Sequence, residues 1–374
     1  MRRDLRMRVS DEGVLEIIDP GMDVLPILRH IQPSFQIESK PLRKFRKARI
    51  QACRTFRVGC SRKQLADMSI PKLWRLHRIG ICAIIESNFE YNKGCVEDDY
   101  ATLLDLKTEL ARRLLENCVL CARRCNVNRL AGEKGICRLG SSAAAADYFI
   151  HIAEEPQINP SFLINLDGCA LRCRFCQQSA LLEPSRTGSR MLDLPLWKSI
   201  DLRRARSLSF AGGNPDESLY AILRFLGGMP LEANLPVVWN NHGYCSSETL
   251  RLLEGVIDVF LPDFKYGSDV CAQQLSGCSN YVEAAQSGIL QMLRQNVDVL
   301  VRVLILPGHI HCCHIPVLDW LSKSAGEQVL ISIRGQYAPD WGISEQDGSL
   351  ARRVLLSEVE EVRAYGQVKK LRFV

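Results

Sequence analysis

From about residue 160 onward the chain alternates short apolar runs with amphipathic ones. Phe162–Leu166, Ser207–Phe210, Pro236–Trp239, Ile257–Leu261, Val299–Ile305 and Val329–Ile333 are strand-like in length and composition. Each gives way to polar or Gly/Pro-containing residues. Amphipathic helical patterns such as Ser247–Leu253 and Tyr281–Leu293 follow most of them. Six strand–helix units predict an α/β fold with a parallel sheet whose loops gather at the strand C-terminal ends. A closed barrel would take eight such units, so six predict a partial one. Upstream, Leu103, Leu106, Leu110 and Leu114 recur at helical spacing and predict a helix within residues 101–117. The short run Ala143–Ala146 reads as a link into the strand-rich part, and residues 1–100 carry no repeat or recognisable motif. The chain therefore divides into 1–100, of unassigned role, 101–150, 151–345 and a C-terminal tail element, 346–374.

The cysteines change this picture. Cys169, Cys173 and Cys176 form a C-x3-C-x2-C loop directly after the first strand candidate. Three thiolates from one short loop can hold three irons of a cubane cluster and leave the fourth iron open to a small chelating molecule. Ferredoxin loops close the cluster with a fourth cysteine, but here the next cysteine is Cys245. Zinc would need a fourth Cys or His close by, and residues 160–190 contain none. A second set, Cys118, Cys121, Cys125 and Cys137, has the spacing C-x2-C-x3-C-x11-C with Gly132 and Gly135 inside it. Four thiolates so arranged form a closed site for structural zinc or a second iron–sulfur cluster. Cys53, Cys60, Cys82 and Cys95 are too far apart to pair and read as core or incidental thiols. His311-Cys-Cys-His314 packs four ligand-type residues together. Adjacent residues seldom converge on one metal, so that run reads as a loop with incidental thiols. His309, just after a strand end, is the better functional candidate.

Sixteen cysteines among 374 residues, clustered and with no secretory signal before them, suit metal ligands and reduced thiols of a cytoplasmic protein. No apolar run approaches the ~20 residues that span a bilayer. The net charge of +6 is concentrated near Lys40, Arg43, Lys44, Arg46, Lys47, Arg49 and Arg54. That run reads as a solvated helix face. Only Phe45 and Phe56 interleave with it, too few for a single-strand stacking platform, and this disfavours nucleic acid.

Polar residues stand at each strand end: Gly212-Gly213-Asn214-Pro215, Asn240, Asp263 and Lys265, Arg302 with Leu306-Pro-Gly-His309, and Gly335-Gln-Tyr337. Asp263 and Lys265 lie two apart and share a face, which suits a zwitterionic ligand. The C-x3-C-x2-C loop resembles the signature of the radical S-adenosylmethionine (SAM) superfamily. The Cys118–Cys137 motif, Val238-Trp-Asn240, Leu261-Pro-Asp-Phe-Lys-Tyr-Gly267, Leu306-Pro-Gly-His309 and Val317-Leu-Asp-Trp320 resemble the pyruvate formate-lyase activating enzyme-like proteins within it, over roughly residues 110–345.

That resemblance implies a partial (βα)6 radical SAM barrel with an N-terminal, mostly helical, cysteine-containing extension. It implies a [4Fe-4S] cluster on Cys169, Cys173 and Cys176. The SAM pocket would be formed by Phe175, Gly212, Gly213, Asn214, Asn240, Asp263, Lys265 and Arg302. The expected activity is reductive cleavage of SAM to a 5'-deoxyadenosyl radical that abstracts hydrogen, either to activate a glycyl-radical enzyme or to modify a peptide. The reductant would be a flavodoxin or ferredoxin. Asn214 replaces the acid of the family's Gly-Gly-Glu-Pro motif, and Ala122, Val303 and Ala338 replace its usual proline, histidine and arginine. A non-catalytic iron–sulfur or zinc protein that binds nucleic acid or a protein partner is the alternative. The missing fourth ligand and the strand-end polar residues count against it.

Overall fold

The computed structural model describes residues 7–9, 15–17, 48–88, 100–184, 190–230, 233–339 and 342–374. Two units separate, Met1–Lys40 and Pro41–Val374. In the first, strands β1 (Met7–Val9) and β2 (Leu15–Ile17) pair antiparallel, with Arg8 opposite Glu16. Cys95 and the basic residues Lys40–Lys47 lie outside the described residues.

The second unit begins with helices Ile50–Thr55, Arg62–Asp67 and Ile70–Glu86, and with a small antiparallel sheet of β3 (Arg57–Ser61) and β4 (Tyr100–Thr102). Arg49 and Arg54, at the end of the basic run, are half-buried. Arg49 donates to the carbonyls of Gln295 (3.0 Å) and Asn296 (2.6 Å), and Arg54 donates to that of Gly227 (3.2 Å). The predicted helix spans Leu103–Leu114. It starts where Thr102 and Asp105 form a reciprocal cap, the Thr102 hydroxyl accepting from Asp105 N–H (3.1 Å) and the carboxylate accepting from Thr102 N–H (2.8 Å).

Among the described residues the main sheet has eight strands: β5 (Ala144–His151), β6 (Ser161–Leu166), β7 (Arg190–Met191), β8 (Ser207–Gly212), β9 (Val237–Asn241), β10 (Val259–Pro262), β11 (Asp298–Leu304) and β12 (Val329–Arg334). Their order is β12-β11-β10-β9-β8-β6-β5-β7. The six expected strands, β6 and β8 to β12, are all present, parallel and sequentially adjacent. This is a mixed α/β fold built on a parallel sheet.

Ala143–Ala146 is no linker. Its last three alanines open β5, which pairs antiparallel with β6 and carries β7 on its far edge. A run of alanines has neither the alternation nor the β-branched bulk that marks a strand, so pairing with β6 decides it.

Side chains alternate across the sheet. Trp239, Phe260, Val299 and Val301 join the large core beneath the helices, whereas Val238, Val259, Leu261 and Leu300 form a small cluster with Ile158 on the other face. All six residues of β6 and all four of β10 are buried, as central parallel strands require.

Lys107 is fully buried in the helix Leu103–Leu114. Its ammonium lies 2.8 Å from His77 Nε2 and donates to the carbonyls of Leu252 (3.1 Å) and Glu254 (2.8 Å). Burial lowers its pKa to about 8. Lys107→Met leaves those acceptors unpartnered and should cost ~2–3 kcal/mol at pH 7, read from the urea midpoint. The gap between wild type and variant should widen from pH 8 to 10. In that window unfolded lysine still holds the proton that the folded one releases, so stability rises with pH.

Candidate functional site

The ends of the parallel strands surround a cavity of about 360 Å³. Cys169, Cys173, Phe175, Cys176, Gly212, Gly213, Asn214, Asn240, Asp263, Lys265 and Arg302 all line it, so the structure brings together every cavity-side residue expected from the sequence.

The loop after β6 is held from two sides. Arg172 and Arg174 N–H groups donate to the carbonyls of Ser276 (3.0 Å) and Leu275 (2.8 Å), at the end of the helix Asp269–Ser276. The Ser276 hydroxyl lies 2.9 Å from Cys173 Sγ. On the other side, the end of β8 packs backbone to backbone against this loop. A Cβ on Gly213 would come within 2.1 Å of the Gly168 oxygen, and one on Gly212, at φ +97, within 2.3 Å of the Leu166 nitrogen. The Gly-Gly pair is therefore required by close approach.

Lys265 donates to Asp263 at 2.6 Å. Burial opposes its charge, but the Asp263 carboxylate and the nearby Cys173 and Cys169 sulfurs hold its pKa up at about 12. The Tyr281 hydroxyl ties this pair to the next strand end, lying 3.0 Å from the His242 oxygen, 3.1 Å from the Asp263 oxygen and 3.0 Å from Lys265 N. Arg302 makes a bidentate pair with Glu155 at 2.7 and 2.6 Å and also binds Glu154, while Arg334 reaches Glu155 at 2.8 Å. Although burial works against ionisation, these guanidinium contacts depress Glu155 far below the usual carboxylate range. Phe175 and Tyr337 form an aromatic wall, their ring centroids 5.9 Å apart.

Glu217 is buried and was not anticipated. It accepts from Ala170 N–H (2.9 Å), from the Asn214 amide (2.5 Å) and from His242 Nε2 (3.3 Å). His242 Nδ1 accepts from Tyr244 N–H, which places the ring proton on Nε2, facing Glu217. Burial pushes Glu217 up, but the His242 and Asn214 hydrogen bonds prevail and hold it below its ordinary value. The sequence signal was faint: Asp216-Glu217-Ser218 after a proline looks like an ordinary helix start. Glu154 and Glu155 escaped notice for another reason. They are delivered by β5, the strand read as a linker.

Cys118, Cys121 and Cys137 are buried and Cys125 is half-buried. Cys118 and Val127 close their hairpin through Cys118 N–H to the Val127 oxygen, and Asn126 N–H returns to the Cys118 oxygen. Arg123 links this hairpin to the carbonyls of Ala170 and Gly277, both at 2.8–3.1 Å, and Arg129 links it to that of Glu217 at 2.8 Å. The two cysteine loops thus pack against each other, with Glu217 between them. Burial, then Glu217, raises both the Cys121 and Cys169 thiols. Among the described residues, the group of Cys, His, Asp and Glu ligand atoms drawn within 4.8 Å of one another is Cys271, His309, Cys312 and Cys313, and includes none of these seven cysteines.

His311-Cys-Cys-His314 is a wide helical turn and not a loop, with the N–H groups of Cys313 and His314 both on the His309 oxygen. His314 Nε2 accepts from Leu306 N–H (2.9 Å), while His311 is exposed and faces Glu361.

No family model matches the chain. It is 31% identical over 307 residues to the uncharacterized protein MJ0674 of Methanocaldococcus jannaschii, covering 80% of this chain and 88% of that one. The chain belongs to the MJ0674 family. Structures of SuiB from Streptococcus suis bound to S-adenosylmethionine, free, and bound to the precursor peptide SuiA align with TM-scores of 0.40, 0.41 and 0.39 at 13%, 14% and 15% identity. They cover 55–57% of this family member, which spans just under half of their length, a likeness too loose to bear on function. No helix among the described residues of the chain is long and apolar enough to cross a membrane.

Glu217→Gln keeps the volume but turns an amide donor toward the donors of Ala170 or Asn214. It should lower stability by ~1–3 kcal/mol in urea denaturation. An unchanged midpoint would contradict a linking role for this carboxylate.

Proposed function

We propose that this chain is a radical SAM enzyme related to the pyruvate formate-lyase activating enzymes. One observation carries the reading: the three cysteines of the C-x3-C-x2-C loop and the polar residues of four strand ends line one cavity. Its volume of about 360 Å³ is in the range of small-molecule sites. The donor set fits a cluster with one open iron, since three thiols face the cavity and Asn214, Asn240, Asp263, Lys265 and Arg302 offer oxygen and nitrogen groups beside them.

In this reading Cys169, Cys173 and Cys176 hold a [4Fe-4S] cluster, which supplies the electron that cleaves SAM to a 5'-deoxyadenosyl radical. Phe175 and Tyr337 offer an apolar face to the adenine. Gly212 and Gly213 bring bare backbone to the methionine end, beside the Asn214 and Asn240 amides. Asp263 and Lys265 complement the ammonium and carboxylate of a zwitterion. Arg302, already held by Glu154 and Glu155, is a positioned charge at the rim. The Cys118, Cys121, Cys125 and Cys137 site holds a second cluster or zinc and supports the catalytic loop through Arg123 and Arg129. The motifs favour activation of a glycyl-radical enzyme, with peptide modification next. The net charge of +6 suits docking of an acidic electron carrier such as flavodoxin or ferredoxin.

Equilibrium dialysis with SAM on anaerobically reconstituted protein tests the assignment. Lys265→Ala or Asp263→Ala should weaken SAM binding about tenfold or more, roughly 1.4 kcal/mol, with iron content unchanged. Cys169→Ala should lose cluster iron and SAM binding together. Undiminished SAM binding by Cys169→Ala would overturn the cluster assignment and favour a non-catalytic metal protein.

A further inference from the structure

Outside the cavity wall, two separate stretches of chain send ligand atoms to one point. Cys271 comes from the first turn of the helix after β10. His309 follows β11, and Cys312 and Cys313 sit on the helical turn after it. His309, Cys312 and Cys313 stand at i, i+3 and i+4, the spacing that puts side chains on one face of a helical turn. Helical spacing, and not adjacency in sequence, makes the two neighbouring cysteines converge.

The distances are specific. Cys271 Sγ lies 3.7 Å from Cys312 Sγ, Cys312 Sγ lies 3.9 Å from Cys313 Sγ, and His309 Nδ1 lies 3.3 Å from Cys312 Sγ. All four atoms lie within 4.8 Å of one another. With Zn–S bonds of ~2.3 Å and a Zn–N bond of ~2.0–2.1 Å, a tetrahedral ion sets its sulfurs ~3.8 Å apart and sulfur from nitrogen ~3.5 Å apart.

Backbone contacts hold this frame in place. Gly267 lies so close that a Cβ on it would come within 2.4 Å of the Cys313 oxygen. His314, the buried imidazole of the turn, accepts from Leu306 N–H through Nε2 and is not among the four converging groups.

We propose that Cys271, His309, Cys312 and Cys313 form a structural mononuclear zinc site. Three sulfurs and one nitrogen complete a tetrahedral shell, with no position left for substrate. The ion staples the loop after β10, which carries Asp263 and Lys265, to the loop after β11. It stands whether or not the cavity binds SAM.

Zinc and iron per chain, measured by mass spectrometry on protein grown with zinc, test the site. Cys312→Ser should lose one zinc per chain with iron unchanged, whereas the control Cys82→Ser, at an exposed thiol, should lose none. Equal zinc in wild type and Cys312→Ser would overturn the site. If Cys312→Ser fails to fold, alkylation of the wild type decides the matter, because Cys312, like Cys82, is an exposed residue. Cys82 should label at once, and Cys312 only after a zinc chelator is added. Labelling of both at the same rate, or protection of Cys312 released by a reductant and not by a chelator, would overturn it.

Discussion

The buried carboxylate of Glu217 is the constraint around which the site is arranged. A charge so far from water persists only if each oxygen has donors. Here the donors come from three places: Ala170 in the cysteine loop, Asn214 at the end of β8 and His242 at the end of β9. Satisfying one carboxylate therefore fixes the relative positions of three strand ends. Arg129, which reaches the Glu217 carbonyl, extends the same network to the second cysteine loop. The cavity takes its shape from this requirement as much as from apolar packing.

The Gly212-Gly213 pair supplies the complementary constraint. Glu217 draws the ends of β6, β8 and β9 together, and the glycines let them approach without side chains between them. Asn214 is at once a cavity-lining residue and a donor to Glu217. Asn214 thus places an amide at the cavity, while a carboxylate three residues later occupies the buried space behind it.

Much of this was legible because buried parallel strands are continuous apolar runs, and ligand-facing residues follow them directly. That logic located β6 and β8 to β12 and placed Asn240, Asp263, Lys265 and Arg302 on one cavity. It failed where the signal depends on partners. β5 begins with alanines and becomes a strand only by pairing with β6, so Glu154 and Glu155, the partners of Arg302, could not be foreseen. Glu217 is charged and buried, a combination that pattern reading assigns to the surface. The meeting of His309, Cys312 and Cys313 with Cys271 was not legible, because it needs a helical turn and a contact across two loops. Neither is written in local spacing.

The central claim is that the Cys169 loop and the strand-end residues together cleave SAM. Its most direct test is release of 5'-deoxyadenosine by protein reconstituted with iron and sulfide under anaerobic conditions, reduced with dithionite and given SAM, alongside Cys169→Ala. The account predicts release by the wild type well above the variant. Equal release, or none from protein whose iron content shows an intact cluster and which is supplied with candidate glycyl-radical and peptide substrates, would contradict it.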